Sequence, residues 1–377
     1  MIKRNVDLNK YLKKNKVLII YGARQVGKTT LVKNFLSTTN LKFSFYTGDD
    51  IQFVKDLSKC DLYTIKNLVG NIELLVIDEA QKIENIGRAL KLIVDNIEGI
   101  SVLVTGSSSF DLANSTSEPL TGRKNLITLY PISIEELLYD NSQYDISRRL
   151  EEFLIYGMYP NVITLENFKE KEGRINEIRD SYLIRDILEF NKVKRSQLVI
   201  DLLKHLAFQI GSEVSTVELG KNLGIDNKTV KRYLDLLEKS FVIFSLRGFS
   251  RNLRKEINKM DKYYFYDNGI RNSLINNFND LDTRNDVGQL WENFLMVERM
   301  KYNMFNQMSV NSYFWRTYDR KEIDLVEETG GKLYGYEFKW NNKKGKVPKE
   351  WLEEYDNSEF KIINRDNYLE FVTSYKE

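Results

Sequence analysis

Val17-Leu18-Ile19-Ile20-Tyr21-Gly22-Ala23-Arg24-Gln25-Val26-Gly27-Lys28-Thr29-Thr30 is the stretch that decides the fold. Its first five residues are apolar and β-prone, as in a strand buried on both faces of a parallel sheet. Thr30 to Phe35 continues as a helix, so the order is strand, glycine loop, helix. In that order the backbone N–H groups from Gly22 to Thr30 point at phosphates from a helix N-terminus. Lys28 then reaches the β- and γ-phosphates, and the Thr29 hydroxyl is left to hold Mg²⁺. Gly22 and Gly27 are needed because side chains there would block the tight turn or the approach of the phosphates. The stretch therefore predicts a site for a nucleoside triphosphate, ATP with Mg²⁺.

A second element stands about fifty residues beyond Lys28, where the apolar run Ile72–Ile77 ends in Asp78-Glu79. At the carboxyl end of a buried strand, Asp78 is expected to hold Mg²⁺ through water, in the manner of a Walker-B aspartate. Glu79 is placed to take a proton from the attacking water, which favours hydrolysis over binding alone. Leu41–Tyr46 reads as a further strand, followed by the acidic turn Asp49-Asp50. Ser101–Thr105 reads as a fourth strand running into Gly106-Ser107-Ser108-Ser109. Thr105 and Ser107 are both candidates to sense the γ-phosphate, and the residues alone do not choose between them. Tyr130-Pro131 begins another short strand or turn. Strands alternating with helices imply a parallel sheet covered on both faces, with ligand outside the strand carboxyl ends.

Arg123, in Leu120-Thr121-Gly122-Arg123, is the first candidate for an arginine finger. It would act on the γ-phosphate of a neighbouring subunit, an effect worth roughly 10³–10⁵ in rate. That role requires at least a dimer, so a homo-oligomer is the assembly it implies. Arg185 is a second candidate, acting within the chain; an ion-paired surface arginine is the plain alternative for each.

The length of 377 residues suits two or three domains. With 54 acids against 56 bases, any case for nucleic acid must rest on local patches. The single cysteine, Cys60, excludes an internal disulfide framework and suits a reducing cytosol. A single histidine, His205, rules out multi-histidine zinc sites, and it lies in an apolar helical stretch. No apolar run approaches 18 residues and no signal-peptide pattern opens the chain, so a cytoplasmic protein without a membrane partner is expected.

Past residue 150 the character changes. Glu151–Tyr159 reads as helical, and Phe168 to Val193 as a long charged helix. A rhythm of helix Leu198–Ile210, helix Thr216–Leu223, tight turn Gly224–Asp226, and helix Lys228–Lys239 capped by Asn227 follows. Two β-rich stretches, Phe241–Leu246 and Lys262–Tyr266, complete the pattern of a winged helix-turn-helix. From Lys221 to Lys262 there are eleven bases and five acids, a local excess of six. Lys228, Lys231 and Arg232 on the second helix, with Arg251 and Arg254 beside the wing, form the candidate surface for double-stranded DNA phosphates.

The last hundred residues hold another constellation. Gly288–Glu298 is a periodic helix carrying Glu292; Ser312–Arg316 and Glu322–Val326 read as paired strands, the second carrying Asp324. Lys332–Trp340 is a third strand, on which Glu337 and Lys339 share a face. Asp324 and Glu337 would hold Mg²⁺ or Mn²⁺, and Lys339 would polarise the attacking water of a nuclease-like site. A degenerate, structural copy of such a site is the alternative.

On these residues, together with Gly157-Met158-Tyr159-Pro160, Arg185-Asp186 and Trp291-Glu292-Asn293-Phe294, the chain resembles a bacterial and archaeal family. These are the AAA-type P-loop ATPases (AAA_14-like) that carry a C-terminal domain of unknown function, DUF4143. The resemblance covers nearly the whole chain. Tyr156 departs from it, standing where relatives tend to have a second glycine. It implies an α/β protein: a parallel-sheet P-loop AAA ATPase domain, a winged helix-turn-helix, and an α/β end resembling the PD-(D/E)XK nuclease fold. The expected division is 1–145 for the ATPase core, 146–195 for a helical lid, 196–275 for the winged helix and 276–377 for the nuclease-like domain. By position, Lys28 and Thr29 become nucleotide ligands, Asp78 and Glu79 the Walker-B pair, and Asp324, Glu337 and Lys339 the nuclease-like set. Two functions are thereby in play: a DNA-directed ATPase with a cutting or gripping end, or a nucleotide-driven switch for a protein partner with an inert end.

Overall fold

The computed structural model describes residues 2–107, 120–184, 196–250, 260–317, 321–341 and 347–374. They form two compact units. One comprises Val6–Pro131 with Lys239–Phe241, the other Met1–Asn5, Ile132–Glu238 and Val242–Glu377. Among the described residues no helix is long and apolar enough to cross a membrane.

The first unit is built on five parallel strands: β1 (Val17–Tyr21), β2 (Phe43–Thr47), β3 (Leu74–Asp78), β4 (Ser101–Gly106) and β5 (Lys124–Thr128). Their order across the sheet is β2-β3-β4-β1-β5. Every residue of β1, β3 and β4 is buried, which is why their sequences are continuous apolar runs rather than alternating ones. Helix α1 (Lys28–Thr38) follows β1, and helix α2 (Ile86–Asn96) lays Ile86, Ala89, Leu90 and Ile93 onto one face of the sheet. These residues share one cluster with Val17 and Ile19 of β1, Leu75 and Ile77 of β3, and Val102 and Val104 of β4. Each fully buried aliphatic side chain there contributes about 1.5–3 kcal/mol. The fifth strand is Lys124–Thr128, while Tyr130-Pro131 is irregular backbone. An edge strand with Ile127 as its one buried residue presents no apolar run, so periodicity does not reveal it.

The second unit begins with α3 (Leu150–Tyr156) and α4 (Phe168–Ile178). A π-helical turn, Arg179–Ile184, continues α4, and the rest of the helix expected to reach Val193 lies outside the described residues. Helices α5 (Ser196–Phe208), α6 (Thr216–Leu223) and α7 (Asn227–Lys239) follow at the predicted places. The cap of α7 is Asp226 rather than Asn227: its carboxylate accepts the Thr229 N–H at 2.9 Å and the Thr229 hydroxyl at 2.7 Å. An ionised oxygen one residue earlier reaches the third helical N–H, the usual capping geometry.

Six strands form the second sheet: β6 (Ile243–Gly248), β7 (Lys262–Phe265), β8 (Asn311–Arg316), β9 (Glu322–Thr329), β10 (Lys332–Phe338) and β11 (Ser358–Ile363), in the order β11-β10-β9-β8-β6-β7. The hairpin β6–β7 is antiparallel, and β6 also pairs in parallel with β8 at Arg247–Tyr313 and Gly248–Phe314. The two strands expected to form the wing therefore belong to the same sheet as β8–β11.

Helices α8 (Asn268–Leu274) and α9 (Val287–Phe305) run through this unit on buried polar contacts. Asp267 caps α8 and also accepts the Met158 N–H at 2.7 Å. Burial pushes the Asp267 carboxyl up to about 6. Gly157 at the end of α3 is required here, because a Cβ would lie 2.0 Å from Asp267 Oδ1 and φ is +79°. Asn293 of α9 accepts the Phe265 N–H and donates to the Phe265 carbonyl and to Asn268. The Trp291-Glu292-Asn293-Phe294 motif thus stitches α9 to β7.

Asp286 sits between Arg284 and Arg271, accepting from Arg284 Nε at 2.8 Å. Burial works to raise its pKa, and the two guanidinium groups overcome that and hold it at about 2. A carboxyl depressed from 3.8 contributes stability that is fully present above pH 4 and is lost as the pH falls towards 2. Asp286→Asn should therefore unfold in urea with about 2 kcal/mol less stability than the parent at neutral pH. The gap should close as both are acidified.

Candidate functional site

β1 delivers the chain to Gly22, where a Cβ would lie 2.1 Å from the Leu129 carbonyl oxygen. The loop then turns through Gln25 at φ +61° and Gly27 at φ +97°, the N-cap of α1. Ala23 and Val26 pack inward, Arg24 is half-buried, and Gln25 and Thr30 are exposed. Lys28 is buried, and its ammonium donates to the Gly22 and Ala23 carbonyls, each at 2.8 Å. The cation is thus held at the mouth of the loop, at the positive end of the α1 dipole, where an anion is favoured.

The acid expected on the third strand lies beside this loop. Asp78 Oδ2 accepts the Thr29 hydroxyl at 2.8 Å, and Asp78 Oδ1 accepts the Thr105 hydroxyl. β4 runs between β1 and β3, so the residues at its end emerge between the loop and the acids. Thr105 also accepts the Glu79 N–H at 3.2 Å, and Ser107 accepts from Gln81 Nε2 at 2.9 Å. Gln81 Nε2 donates to Glu79 Oε2 at 2.6 Å as well. Glu79 has φ +53°, an unfavourable backbone for a non-glycine residue, and it sits in the middle of this network. Gln81 closes the motif Leu75–Gln81 that contributes to the resemblance, but the sequence alone assigned it no role; it lies in the 3-10 turn Ala80–Lys82. Thr29 and Asp78 are hard oxygen donors and fit Mg²⁺, which there would neutralise phosphate charge.

Arg123 stands at the other end of the sheet. β5 runs parallel to β1 with Lys124 opposite Val17 and Thr128 opposite Tyr21, so Arg123 precedes the strand while the loop follows its partner. Its guanidinium pairs with Asp95 at 2.5 Å. It therefore does not serve the loop of its own chain. Arg185 lies outside the described residues.

On α7, Lys228, Lys231 and Arg232 are all exposed, with Arg232 over the Tyr233 ring at 5.4 Å from its centroid. Arg251 and Arg254 lie outside the described residues. Lys262, counted among the basic residues of this region, is buried and ion-paired with Glu292 and Glu322, which removes it from any phosphate-contacting surface.

The C-terminal set is close in space, with Glu337 beside Lys339 and Asp324 on the neighbouring strand. Asp324 Oδ2 accepts the Phe338 N–H at 2.7 Å, and Glu337 Oε1 pairs with Lys339 Nζ at 2.5 Å. Burial, then the neighbouring Glu292 and Glu337 carboxylates, push the Asp324 carboxyl well above the ordinary range. Burial opposes the charge on Lys262, yet Glu292, Glu322 and Asp324 raise its pKa above the usual lysine value. Among the described residues no group of three or more His, Cys, Asp or Glu side chains is arranged to hold a metal ion. Lys339 and a backbone N–H thus each engage one oxygen of the two carboxylates on which Mg²⁺ or Mn²⁺ was expected.

Strand, glycine loop, helix and an acid-tipped strand across an intervening strand define an AAA-type P-loop domain. Residues 14–138 match the family model described as an AAA domain, and residues 147–281 and 287–371 match two domains of unknown function, DUF8612 and DUF4143. The AAA and DUF4143 matches are the two that the resemblance implied.

An uncharacterized protein of Mycobacterium tuberculosis is 26% identical over 336 residues, covering 88% of this chain and 72% of that relative. An uncharacterized Haemophilus influenzae protein is 25% identical over 334 residues, covering 82% and 79% respectively, and similar archaeal proteins occur in Methanocaldococcus jannaschii. A solved signal-transduction ATPase with a tetratricopeptide-repeat sensor, from Pyrococcus horikoshii, aligns with 78% of this chain and 46% of its own at 12% identity and a TM-score of 0.27.

Replacing Lys28 with alanine removes the ammonium at the mouth of the loop. Titration calorimetry should show ATP affinity falling at least about a hundredfold, with an unchanged thermal unfolding profile of the nucleotide-free protein. Retained tight binding would be incompatible with this site.

Proposed function

We propose that the chain hydrolyses ATP with Mg²⁺ at the Gly22–Thr30 loop and couples that cycle to double-stranded DNA held by α7. One observation carries the first half: the continuous network Thr29–Asp78–Thr105–Glu79–Gln81–Ser107 beside the ammonium of Lys28. Lys28 exchanges the loop carbonyls for phosphate oxygens when ATP binds. Glu79 takes the proton of the attacking water, with Gln81 orienting its carboxylate. Thr105, joined to both acids, is the better placed sensor of the γ-phosphate; Ser107 acts on Glu79 through Gln81.

Lys228, Lys231 and Arg232 support the second half, as three exposed cations at positions i, i+3 and i+4 of one helix. Such cations contact backbone phosphates and release counterions, so binding weakens steeply with salt. A second reading, a nucleotide-driven switch that binds a protein partner, gains from the pairing of β6 with β8, which ties the hairpin into the sheet.

Two measurements separate the readings. Glu79→Gln should keep ATP binding while turnover falls by about 10²–10⁴, the usual worth of a general base. Duplex DNA should stimulate turnover of the parent. The triple change Lys228→Glu, Lys231→Glu, Arg232→Glu should abolish that stimulation and lower the salt slope of binding by about 0.9 for each phosphate no longer neutralised. Turnover indifferent to duplex at low salt would leave the protein-partner reading standing instead.

A further inference from the structure

Four carboxylates converge at the junction of α9, β9 and β10: Glu292, Glu322, Asp324 and Glu337. Such a convergence suits a divalent cation when its oxygen atoms are left for the ion. Here they are engaged by the protein. Lys262 enters from β7 with about 1% of its surface exposed, and its ammonium ion-pairs with Glu322 and stands 3.5 Å from Glu292 Oε1. Two residues along the same face of β7, the Tyr264 hydroxyl donates to that Glu292 oxygen at 2.6 Å. Lys339 takes Glu337, the Phe338 N–H takes Asp324, and Arg316 lies 3.7 Å from the second oxygen of Glu322. Every acid of the cluster has a donor or cation from the chain itself.

We infer that the Lys262 ammonium is a tethered counter-ion standing in for a divalent metal, so that the DUF4143 end holds no catalytic metal and does not cut DNA. A metal bound by Glu292 and Asp324 would have to share those acids with an ammonium already among them. A dication and an ammonium on the same carboxylates repel, and Lys262 cannot swing out to water because its stem is enclosed, with the ammonium 5.2 Å from the Phe314 ring centroid. The ammonium also fastens β7 to α9 and β9, so the cluster joins the hairpin to the C-terminal sheet. The inference is independent of ATP turnover and of DNA binding by α7.

The test uses the full chain without nucleotide. Mn²⁺ binding is followed by its electron paramagnetic resonance signal, with plasmid nicking in parallel, for the parent, Lys262→Met, Asp324→Asn and the Lys262→Met, Asp324→Asn double variant. In the parent, the Mn²⁺ signal should be the same as in Asp324→Asn and the plasmid should stay intact. Lys262→Met, which keeps the buried volume and removes the charge, should gain a bound Mn²⁺ at least about tenfold tighter than any in the parent, and the added Asp324→Asn should remove it. Mn²⁺ bound by the parent and absent from Asp324→Asn overturns the inference. So does a folded Lys262→Met, checked by circular dichroism, that remains as blind to Mn²⁺ as the parent. Should Lys262→Met not fold, thermal unfolding of the parent and Asp324→Asn with millimolar Mn²⁺ decides: equal Mn²⁺ shifts uphold the inference, and stabilisation of the parent alone overturns it.

Discussion

Asp78 is gripped from two sides, by the Thr29 hydroxyl at the start of α1 and the Thr105 hydroxyl at the end of β4. A buried carboxylate without partners is costly, so this grip constrains where α1, β3 and β4 end relative to one another. It holds only with β4 between β1 and β3, which is the order the sheet adopts. The same grip sets Glu79 beside Thr105 and, through Gln81, beside Ser107. Register, strand order and the two strand-end acids are therefore one constraint seen at three scales.

The other unit follows the same rule with different groups. Asp267, Asn293 and Lys262 are polar residues in the interior with partners from segments far away in sequence. Removing one partner of a buried charge pair costs about 3–5 kcal/mol, because the other is left unpaired, so such groups tolerate few arrangements. Gly157, Glu292 and Asn293, all in the quoted motifs, take part in these contacts. It also explains why the hairpin β6–β7 is part of the larger sheet: Lys262 and Tyr264 on β7 are committed to Glu292 on α9.

Much of the molecule is legible in local patterns. The P-loop strand and helix, the Asp78-Glu79 strand end, the helix-turn-helix spacing and the strands bearing Asp324 and Glu337 all follow from them. Boundaries slip where the pattern is weak, as at the half-exposed β5 and at the cap of α7, where Asp226 and Asn227 are both good capping residues. Roles slip where charge is counted without knowing burial. Lys262 looks like one more surface base, whereas the structure buries it among acids.

What the order of residues determined is whatever depends on neighbours within a few positions. The phosphate loop, the apolar runs of buried strands and the helix faces belong here, because backbone torsions and side-chain period are local properties. Only the tertiary structure decided which charges meet: Lys28 with the loop carbonyls, Asp78 with two threonines, Arg123 at the far end of its sheet, and Lys262 among the acids. Ion pairing and desolvation depend on distance in space, and residues sixty positions apart, such as Lys262 and Glu322, carry no sign of that distance in their spacing.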